Sequence, residues 1–314
     1  MSEHTTTIRL LASVGPEPAD DVRALLARTL PVDLRDDRFD DWPSGPGAES
    51  FPMTAAVATV STVDGDATVA FLGGPIVEGR AELHVLVDPG VDDPARLAAD
   101  MVRRLTDPLT AAGATSVQWW GRPIADWHDE LAEHLGGERT RHLHQMRCPL
   151  PVDIAPIESR PYRPHDDLDA LRTVNNRAFA DHPSQGRETD ESLLATMAQP
   201  WFDPDGLRIH EVDGRVAGFC WTKIHRSRTF PDAPDEPTTP LGEIFVIGVD
   251  PDFHGQGKGA PMTAAGLTWL VEQGLTTGML YVEADNAPAV RTYERLGFEI
   301  VRSDAAWTSP IAPS

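Results

Sequence analysis

The sequence is poor in cysteine and in positive charge. Its 314 residues include two cysteines, Cys148 and Cys220, which form no Cys-x-x-Cys pair. A disulfide framework and a zinc site therefore have no signature here. Lys and Arg number 27 against 49 Asp and Glu, so the net charge is −22. General nucleic-acid binders need a basic surface, so this charge excludes that class and argues against docking on anionic lipid.

Long apolar runs are also missing. No stretch approaches the ~18 apolar residues that a membrane span requires. The amino terminus lacks the basic segment and apolar segment of a secretion signal. We therefore expect a cytoplasmic protein without nucleic-acid or membrane partners. An anionic ligand would need a local pocket of backbone N–H groups and a few cations. A small cationic substrate suits the negative electrostatic field of the whole protein.

The length suggests about two domains, at roughly 100–200 residues each. Residues 148–164 contain five prolines and no helical period, which predicts an extended connector. The predicted domains are therefore residues 1–150 and 160–314.

The two halves contain matching segments. AELHVLVDP at 81–89 resembles GEIFVIGVDP at 242–251, and it places Glu82 and Glu243 161 residues apart. HLG and RLG, beginning at His134 and Arg295, recur at the same offset. Two matches at one offset predict a duplicated domain.

The copies differ where a ligand could bind. The second has one extra residue between Glu243 and Asp250, which is what a β-bulge adds. It then has three closely spaced glycines, at 255, 257 and 259, whereas the first copy is acidic there and has no spaced glycines. If an anion binds after this strand, only the second copy is built for it.

Local patterns predict helices and strands in mixed order, hence an α/β fold with a mixed sheet in each copy. The predicted helices are 18–29, 94–106, 166–179, 190–198, 260–273 and 287–296. The predicted strands are 54–61, 67–72, 82–87, 115–120, 207–212, 215–223, 243–249 and 279–283.

The segment after strand 243–249 carries the main chemical signal. A glycine-rich turn leads into a helix from about Ala260, and such a turn presents inward N–H groups beside the positive end of a helix. Glycine lets the backbone approach phosphate oxygens closely, and Lys258 adds a cation. The glycines by themselves could equally indicate a flexible turn that binds no ligand.

A second helix carries further candidates. Asn286 is a natural N-cap, Tyr293 lies seven residues later on the same helix face, and Gly297 ends the helix before a final strand.

Together the strand, the HGQGKG loop and the N-x6-Y-x3-GF segment resemble the GCN5-related N-acetyltransferase superfamily. The loop of that family usually begins with Gln or Arg, where this sequence has His254; Gly257 and Gly259 match. Residues 144–150, 174–186 and 201–207, with further segments beyond them, resemble tandem members that acetylate the cysteinyl amine of cysteinyl-glucosaminyl-inositol. The resemblance is strong over 144–300 and weak before it.

The resemblance implies an α+β mixed-sheet fold in two tandem acetyltransferase domains. The first, 1–150, is degenerate and the second, 160–314, is catalytic. It also implies acetyl-CoA as co-substrate and no metal. Because the duplication supplies a pseudo-twofold partner within one chain, we expect a monomer.

The same resemblance implies the catalytic roles. Glu243 is the general base for the amine, and backbone N–H groups freed by the bulge bond the thioester oxygen. Tyr293 protonates the leaving thiolate. Alternatively, Glu243 pairs with a neighbouring cation and Tyr293 is a core aromatic. The first copy has Ala132 where the second has Tyr293, so we expect no catalysis there. Transfer is direct, so Cys220 should be dispensable.

The implied binding residues form two sets. The acetyl-CoA set is Ile247, Gly248, Val249, His254, Gly255, Gln256, Gly257, Lys258, Gly259, Ala260, Asn286, Ala287, Pro288, Ala289, Val290 and Arg291. The substrate set is Asp40, Ser184, Lys223, Glu243 and Tyr281.

Some substrate assignments have alternatives. Lys223 could be a solvated lysine at a strand end, and Tyr281 could pack in the core. Ser184 stands where the family usually has an acidic residue. The acceptor could therefore be another small amine or a protein amino terminus. A non-catalytic acyl-CoA sensor is the alternative from another class; it would bind the coenzyme without turnover.

Overall fold

The fold is taken from a computed structural model of the chain. It describes residues 6–11, 21–22, 24–25, 28–29, 54–62, 65–180, 185–229, 235 and 237–311.

Thirteen strands and six helices are described in full. The strands are β1 Thr6–Leu11, β2 Thr54–Thr62, β3 Gly65–Gly74, β4 Ile76–Val77, β5 Arg80–Val87, β6 Ser116–Gly121, β7 Glu138–Pro149, β8 Arg160–Pro161, β9 Leu207–Val212, β10 Arg215–His225, β11 Leu241–Val249, β12 Thr277–Glu283 and β13 Glu299–Pro310. The helices are α1 Pro94–Ala111, α2 Asp126–Leu135, α3 Leu168–Ala178, α4 Asp190–Met197, α5 Gly259–Glu272 and α6 Ala287–Arg295. The described residues within the predicted helix 18–29 are also helical.

The chain forms two compact units with mixed sheets, as the α/β prediction requires. Unit 1 comprises Met1–His142, Thr229–Thr238 and Ser303–Ser314, and unit 2 comprises Leu143–Arg228 and Thr239–Arg302. The strand order is β1-β2-β3-β5-β6-β13 in unit 1 and β7-β12-β11-β10-β9-β8 in unit 2. In each sheet one pair is parallel, β5 with β6 and β11 with β12.

The strand registers agree with a duplicated domain. Glu82 lies opposite Gln118 in the parallel pair of unit 1, and Glu243 lies opposite Met279 in that of unit 2. Glu243 follows Glu82 by 161 residues and Met279 follows Gln118 by 161 residues, which is the offset of the sequence repeat. The repeat therefore extends to backbone pairing.

The last strand of each copy ends in the other unit: residues 143–149 of β7 belong to unit 2, and residues 303–310 of β13 belong to unit 1. In unit 2, β7 supplies Met146 opposite Leu280 of β12. In unit 1, β13 supplies Trp307 opposite Trp119 of β6, and the two indoles stack with ring centroids 6.3 Å apart. The sequence predicts no such exchange, and the division at 1–150 and 160–314 stays a prediction. The predicted connector also begins too early, because β7 continues to Pro149.

The predicted β-bulge is confirmed. In the pairing of β10 with β11, Trp221 lies opposite Val246 and Thr222 opposite Ile244, so Phe245 is the extra residue. The corresponding pairing of β3 with β5 in unit 1 runs without a shift. The bulge is therefore specific to the second copy.

Helix α5 packs closely on the sheet of unit 2. Its Gly266 lies against the Cys220 sulfur of β10, and both residues are buried. A Cβ at position 266 would meet that sulfur, and would lie 3.1 Å from side-chain carbons of Ile244 and Thr222. The small residue thus sets the distance between helix and sheet.

Gly266→Ala should lower the free energy of unfolding by roughly 1 kcal/mol. Overpacking costs about 1–3 kcal/mol, and the helix propensity of alanine offsets about 1 kcal/mol of it. Urea denaturation measures the change. Adding Cys220→Ala should recover part of the loss, because it removes the nearest obstructing atom. A Gly266→Ala protein more stable than the parent would contradict this packing.

Candidate active site

The central strands of unit 2 part after a short pairing. Strands β11 and β12 pair only over Gly242–Ile244 in the described chain. Beyond Ile244, the end of β11 opens onto a cavity of about 980 Å³, and Ile247 and Val249 line it. The parting therefore exposes strand backbone inside unit 2, where a ligand can meet it.

The glycine-rich loop forms one side of this cavity. Gly255 and Gly257 have φ values of +73° and +71°, which side chains rarely adopt. His254 Nε2 lies 2.8 Å from the carbonyl oxygen of Val249. Because a carbonyl can only accept, the imidazole donates. The histidine found in place of Gln or Arg thus ties the loop to the end of β11.

The amino-terminal end of α5 borders the same cavity. Lys258 precedes the helix, no side chain of the described residues caps it, and its first turn carries no acidic residue. Lys258 Nζ lies 3.4 Å from His210 Nε2. His210 Nδ1 lies 2.8 Å from the carbonyl oxygen of Glu158 and must donate to it, which leaves Nε2 to accept from the lysine. The ammonium group therefore lies within hydrogen-bond distance of an imidazole nitrogen.

Helix α6 forms the opposite side. Asn286 caps it as predicted, with its side chain accepting from the Ala289 N–H at 3.2 Å. Pro288, Arg291 and Arg295 follow along the cavity wall. The two arginines are one turn apart on α6, so they add positive charge to one wall of the cavity.

Tyr293 lines the cavity and also packs in the apolar cluster of unit 2. Its ring meets Phe298 edge-on at 5.9 Å between centroids. Burial raises the pKa of Tyr293 well above its ordinary value, and the nearby Cys220 adds to this. The phenol therefore stays protonated at neutral pH. Tyr293 thus contacts the apolar core, as the alternative interpretation expects, and its role as a proton donor stays a prediction.

Glu243 lies on β11 just before the bulge. It is 8% exposed, and its Oε2 lies 2.7 Å from His225 Nε2. The alternative interpretation of Glu243 is that it pairs with a neighbouring cation. The side chain that it meets is the imidazole of His225. Lys223 lies directly opposite Glu243 in the ladder, and its Nζ is 5.2 Å from the ring centroid of Trp201.

Tyr281 lies on the face of the sheet that carries Glu243. Glu243 is opposite Met279, and residues two apart on a strand share a face. The Tyr281 hydroxyl accepts hydrogen bonds from Gln145 Nε2 at 2.8 Å and Arg302 Nη2 at 2.9 Å. It is therefore a fixed, half-buried hydroxyl on the Glu243 face.

The cavity brings together most of the predicted acetyl-CoA residues. Those that line it are Ile247, Val249, His254, Gly255, Gly257, Lys258, Gly259, Ala260, Asn286, Pro288, Ala289 and Arg291. Gly248, Gln256, Ala287 and Val290 do not line it. Gly248 instead faces the ring of Phe219. Asp40 and Ser184 lie outside the described residues.

Sequence reasoning missed several cavity residues. They are Phe253, Thr263, Thr292, Glu294 and Arg295. Helical spacing could have found some of them, since Thr263 lies four residues after Gly259, and Thr292 four after Pro288. Sequence reasoning also missed His225, which is the partner of Glu243 and not a cavity residue. Alternation along β10 could have found it, because it lies two residues after Lys223.

Neither cysteine is a ready nucleophile. Burial raises the pKa of both the Cys148 and the Cys220 thiol to about 12. Nucleophilic attack requires the thiolate, which is scarce at neutral pH for such groups.

Unit 1 closes the equivalent backbone groups with its own carboxylates. Asp93 accepts from the Arg96 N–H at 3.0 Å and caps α1, whose first residue, Pro94, has no N–H. Asp88 accepts from the Gly90 N–H at 2.9 Å, and its counterpart Asp250 accepts from the Asp252 N–H at 3.0 Å, so the copies differ at the Asp93 cap and not at this contact. The first copy therefore presents carboxylates where the second presents glycines and a lysine.

Across the described ranges, no group of three His, Cys, Asp or Glu side chains is arranged to hold a metal. No helix in those ranges is long and apolar enough to cross a membrane.

Solved structures share this architecture. A GCN5-related N-acetyltransferase from Sphaerobacter thermophilus superposes with a TM-score of 0.72 at 19% identity, covering 98% of this chain and 96% of that one. A tandem GNAT protein from the clavulanic acid biosynthesis pathway gives 0.64 at 16% identity, covering 99% and 100%. These likenesses establish the fold.

The sequence of the second copy matches the Acetyltransferase (GNAT) family over residues 168–298. With the tandem fold and the glycine-loop cavity, this defines the protein as a two-domain GNAT-type acetyltransferase.

Two relatives identify the family of the chain more specifically. The mycothiol acetyltransferase of Streptomyces coelicolor is 35% identical over 95% of this chain and 94% of its own. That of Acidimicrobium ferrooxidans is 37% identical over 74% and 75%. The chain belongs to the mycothiol acetyltransferase family.

Gly257→Ala should weaken acetyl-CoA binding about 10-fold or more, because a side chain at positive φ shifts the loop. Gly274→Ala is the matched control: its φ is +85°, and it lies outside the cavity lining. Both variants should lose stability, by roughly 1–3 kcal/mol. Only the first should lose affinity in calorimetry. Equal affinity loss in both would contradict the role given to the loop.

Proposed function

We propose that this chain transfers the acetyl group of acetyl-CoA directly to the cysteinyl amine of cysteinyl-glucosaminyl-inositol and so makes mycothiol. The observation that carries the proposal is one cavity in unit 2 lined by the glycine loop, the open end of β11 and Tyr293. Family membership supports the same acceptor. We expect the protein to act as a cytoplasmic monomer.

The cavity has the donor groups that a coenzyme diphosphate needs. Gly255 and Gly257 keep Cβ atoms away from it, and the uncapped start of α5 directs backbone N–H groups and a positive helix end toward it. Lys258 and Arg291 supply local cations in a protein of net charge −22. Acetyl-CoA would supply an activated acyl carbon there.

Glu243 and Tyr293 carry the two proton transfers of the proposal. A free α-amine has a pKa near ~8, so a base helps to hold it neutral for attack. Glu243 takes the proton from the amine nitrogen, and backbone N–H groups at the end of β11 stabilise the carbonyl oxygen. As the new C–N bond forms and the C–S bond breaks, Tyr293 gives its proton to the sulfur.

The acceptor would lie on the Glu243 face. Lys223, Trp201 and the fixed Tyr281 hydroxyl supply a cation, a flat ring and a polar contact, which suit a sugar-containing amine. The negative global field favours a substrate that arrives as an ammonium ion. Ser184 and Asp40 would add contacts from beyond the described part of the chain.

Mass spectrometry of the product tests the proposal. Incubation of acetyl-CoA with cysteinyl-glucosaminyl-inositol should add one acetyl group and leave the thiol reactive, which places the group on nitrogen. Transfer to other small amines or to a peptide amino terminus, with this compound unreacted, would favour the first alternative acceptor class. Coenzyme binding without turnover would favour a sensor.

Tyr293→Phe should reduce kcat by about 10²–10⁴-fold, because the leaving sulfur loses its proton donor. Acetyl-CoA affinity should stay near that of the parent, since the ring remains. Tyr162→Phe is the matched control: its buried hydroxyl has no hydrogen-bond partner among the residues that the structure describes, and it lies outside the cavity lining. An unchanged kcat in Tyr293→Phe would remove the assigned role.

The two units should differ in coenzyme binding. Since carboxylates cap the equivalent groups of unit 1, we expect one acetyl-CoA per chain by calorimetry. Lys258→Glu should abolish or greatly weaken that single event. A second binding event that survives Lys258→Glu would contradict the assignment of binding to unit 2 alone.

A further inference from the structure

The hydrogen bond between His225 and Glu243 has no place in the two proton transfers above. His225 Nε2 lies 2.7 Å from Glu243 Oε2, and the side chains are 17% and 11% exposed. The bond is thus largely screened from water, which strengthens it relative to a surface contact. We infer that His225 is a positioning residue for the general base, an inference that rests on the proposed function of Glu243.

The direction of the bond follows from its chemistry. A carboxylate can only accept, so Nε2 of His225 carries the hydrogen and donates to Oε2. A base in this reaction must offer a lone pair to the amine, and Oε2 is already engaged. The imidazole therefore fixes the carboxylate plane and leaves Oε1 as the oxygen that meets the substrate.

The strand register explains why this residue pair meets. His225 ends β10 opposite Leu241, and Lys223 lies opposite Glu243. His225 therefore reaches Glu243 diagonally across the ladder, on the face that also carries Lys223 and Tyr281. Lys223 lies directly opposite Glu243 in the ladder, and its Nζ lies 5.2 Å from the ring centroid of Trp201.

Two substitutions separate positioning from simple support of the fold. His225→Phe keeps a ring of similar shape and removes the donor. His225→Gln keeps an N–H donor on a side chain of comparable reach. His165→Gln is the matched control, because His165 is an exposed histidine of the same unit. Each is measured with any primary amine that the parent protein acetylates, so the result does not depend on the identity of the natural acceptor.

His225→Phe should lower kcat by about 10–100-fold. The acetyl-CoA dissociation constant and the midpoint of urea unfolding should stay near those of the parent. His225→Gln should recover most of the kcat, and His165→Gln should match the parent. Loss of acetyl-CoA affinity or of stability in step with kcat would overturn the inference, since that pattern indicates a structural role.

A double variant provides the deciding comparison. If His225 acts through Glu243, adding His225→Phe to Glu243→Gln should lower kcat no further. A further 10-fold or greater loss would show that His225 acts independently and would overturn the inference. If Glu243→Gln alone leaves kcat unchanged, Glu243 is not the general base, and the inference about His225 is overturned as well. If the proposed acceptor is wrong, the parent protein transfers no acetyl group to cysteinyl-glucosaminyl-inositol, which is a separate result.

Discussion

The parting of β11 from β12 is the constraint on which the rest of unit 2 depends. Their parallel pairing ends at Ile244, and the bulge at Phe245 reorients the strand just beyond it. A β-bulge bends its strand and disrupts the ladder locally. The backbone N–H and C=O groups that a continuous sheet would pair are thus available at the end of β11. The glycine loop, α5 and α6 line the cavity that results, and Glu243 lies immediately before the bend.

The duplicated unit provides an internal comparison. Unit 1 keeps the parallel pairing and the glutamate, as Glu82, yet its strand has no bulge and its loop has no spaced glycines. Asp93 caps the following helix, and the residue in place of Tyr293 is the buried Ala132. One fold therefore carries two very different sites. The difference comes from one inserted residue, a few glycines and the placement of carboxylates, while the framework of strands stays the same.

The sequence predicted what depends on local chemistry. The bulge followed from a one-residue count, the Asn286 cap from residue type, and much of the cavity lining from a loop motif. It did not predict what depends on distant pairing. The sequence predicts no strand over 138–147 and places Cys148 and Pro149 in a proline-rich connector, because the partner strand β12 lies over a hundred residues away. The exchange of β7 and β13 has no local signal. His225 was missed for the same reason, since only the register of β10 against β11 brings it to Glu243.

The central claim is that the open backbone of unit 2 receives acetyl-CoA. Hydrogen exchange of backbone amides, followed by mass spectrometry with and without acetyl-CoA, tests it most directly. Protection on binding should appear in peptides covering 245–260 and 286–293, while peptides covering 88–97 of unit 1 stay unchanged. Protection confined to 88–97, or none in 245–260 at saturating acetyl-CoA, would contradict the account.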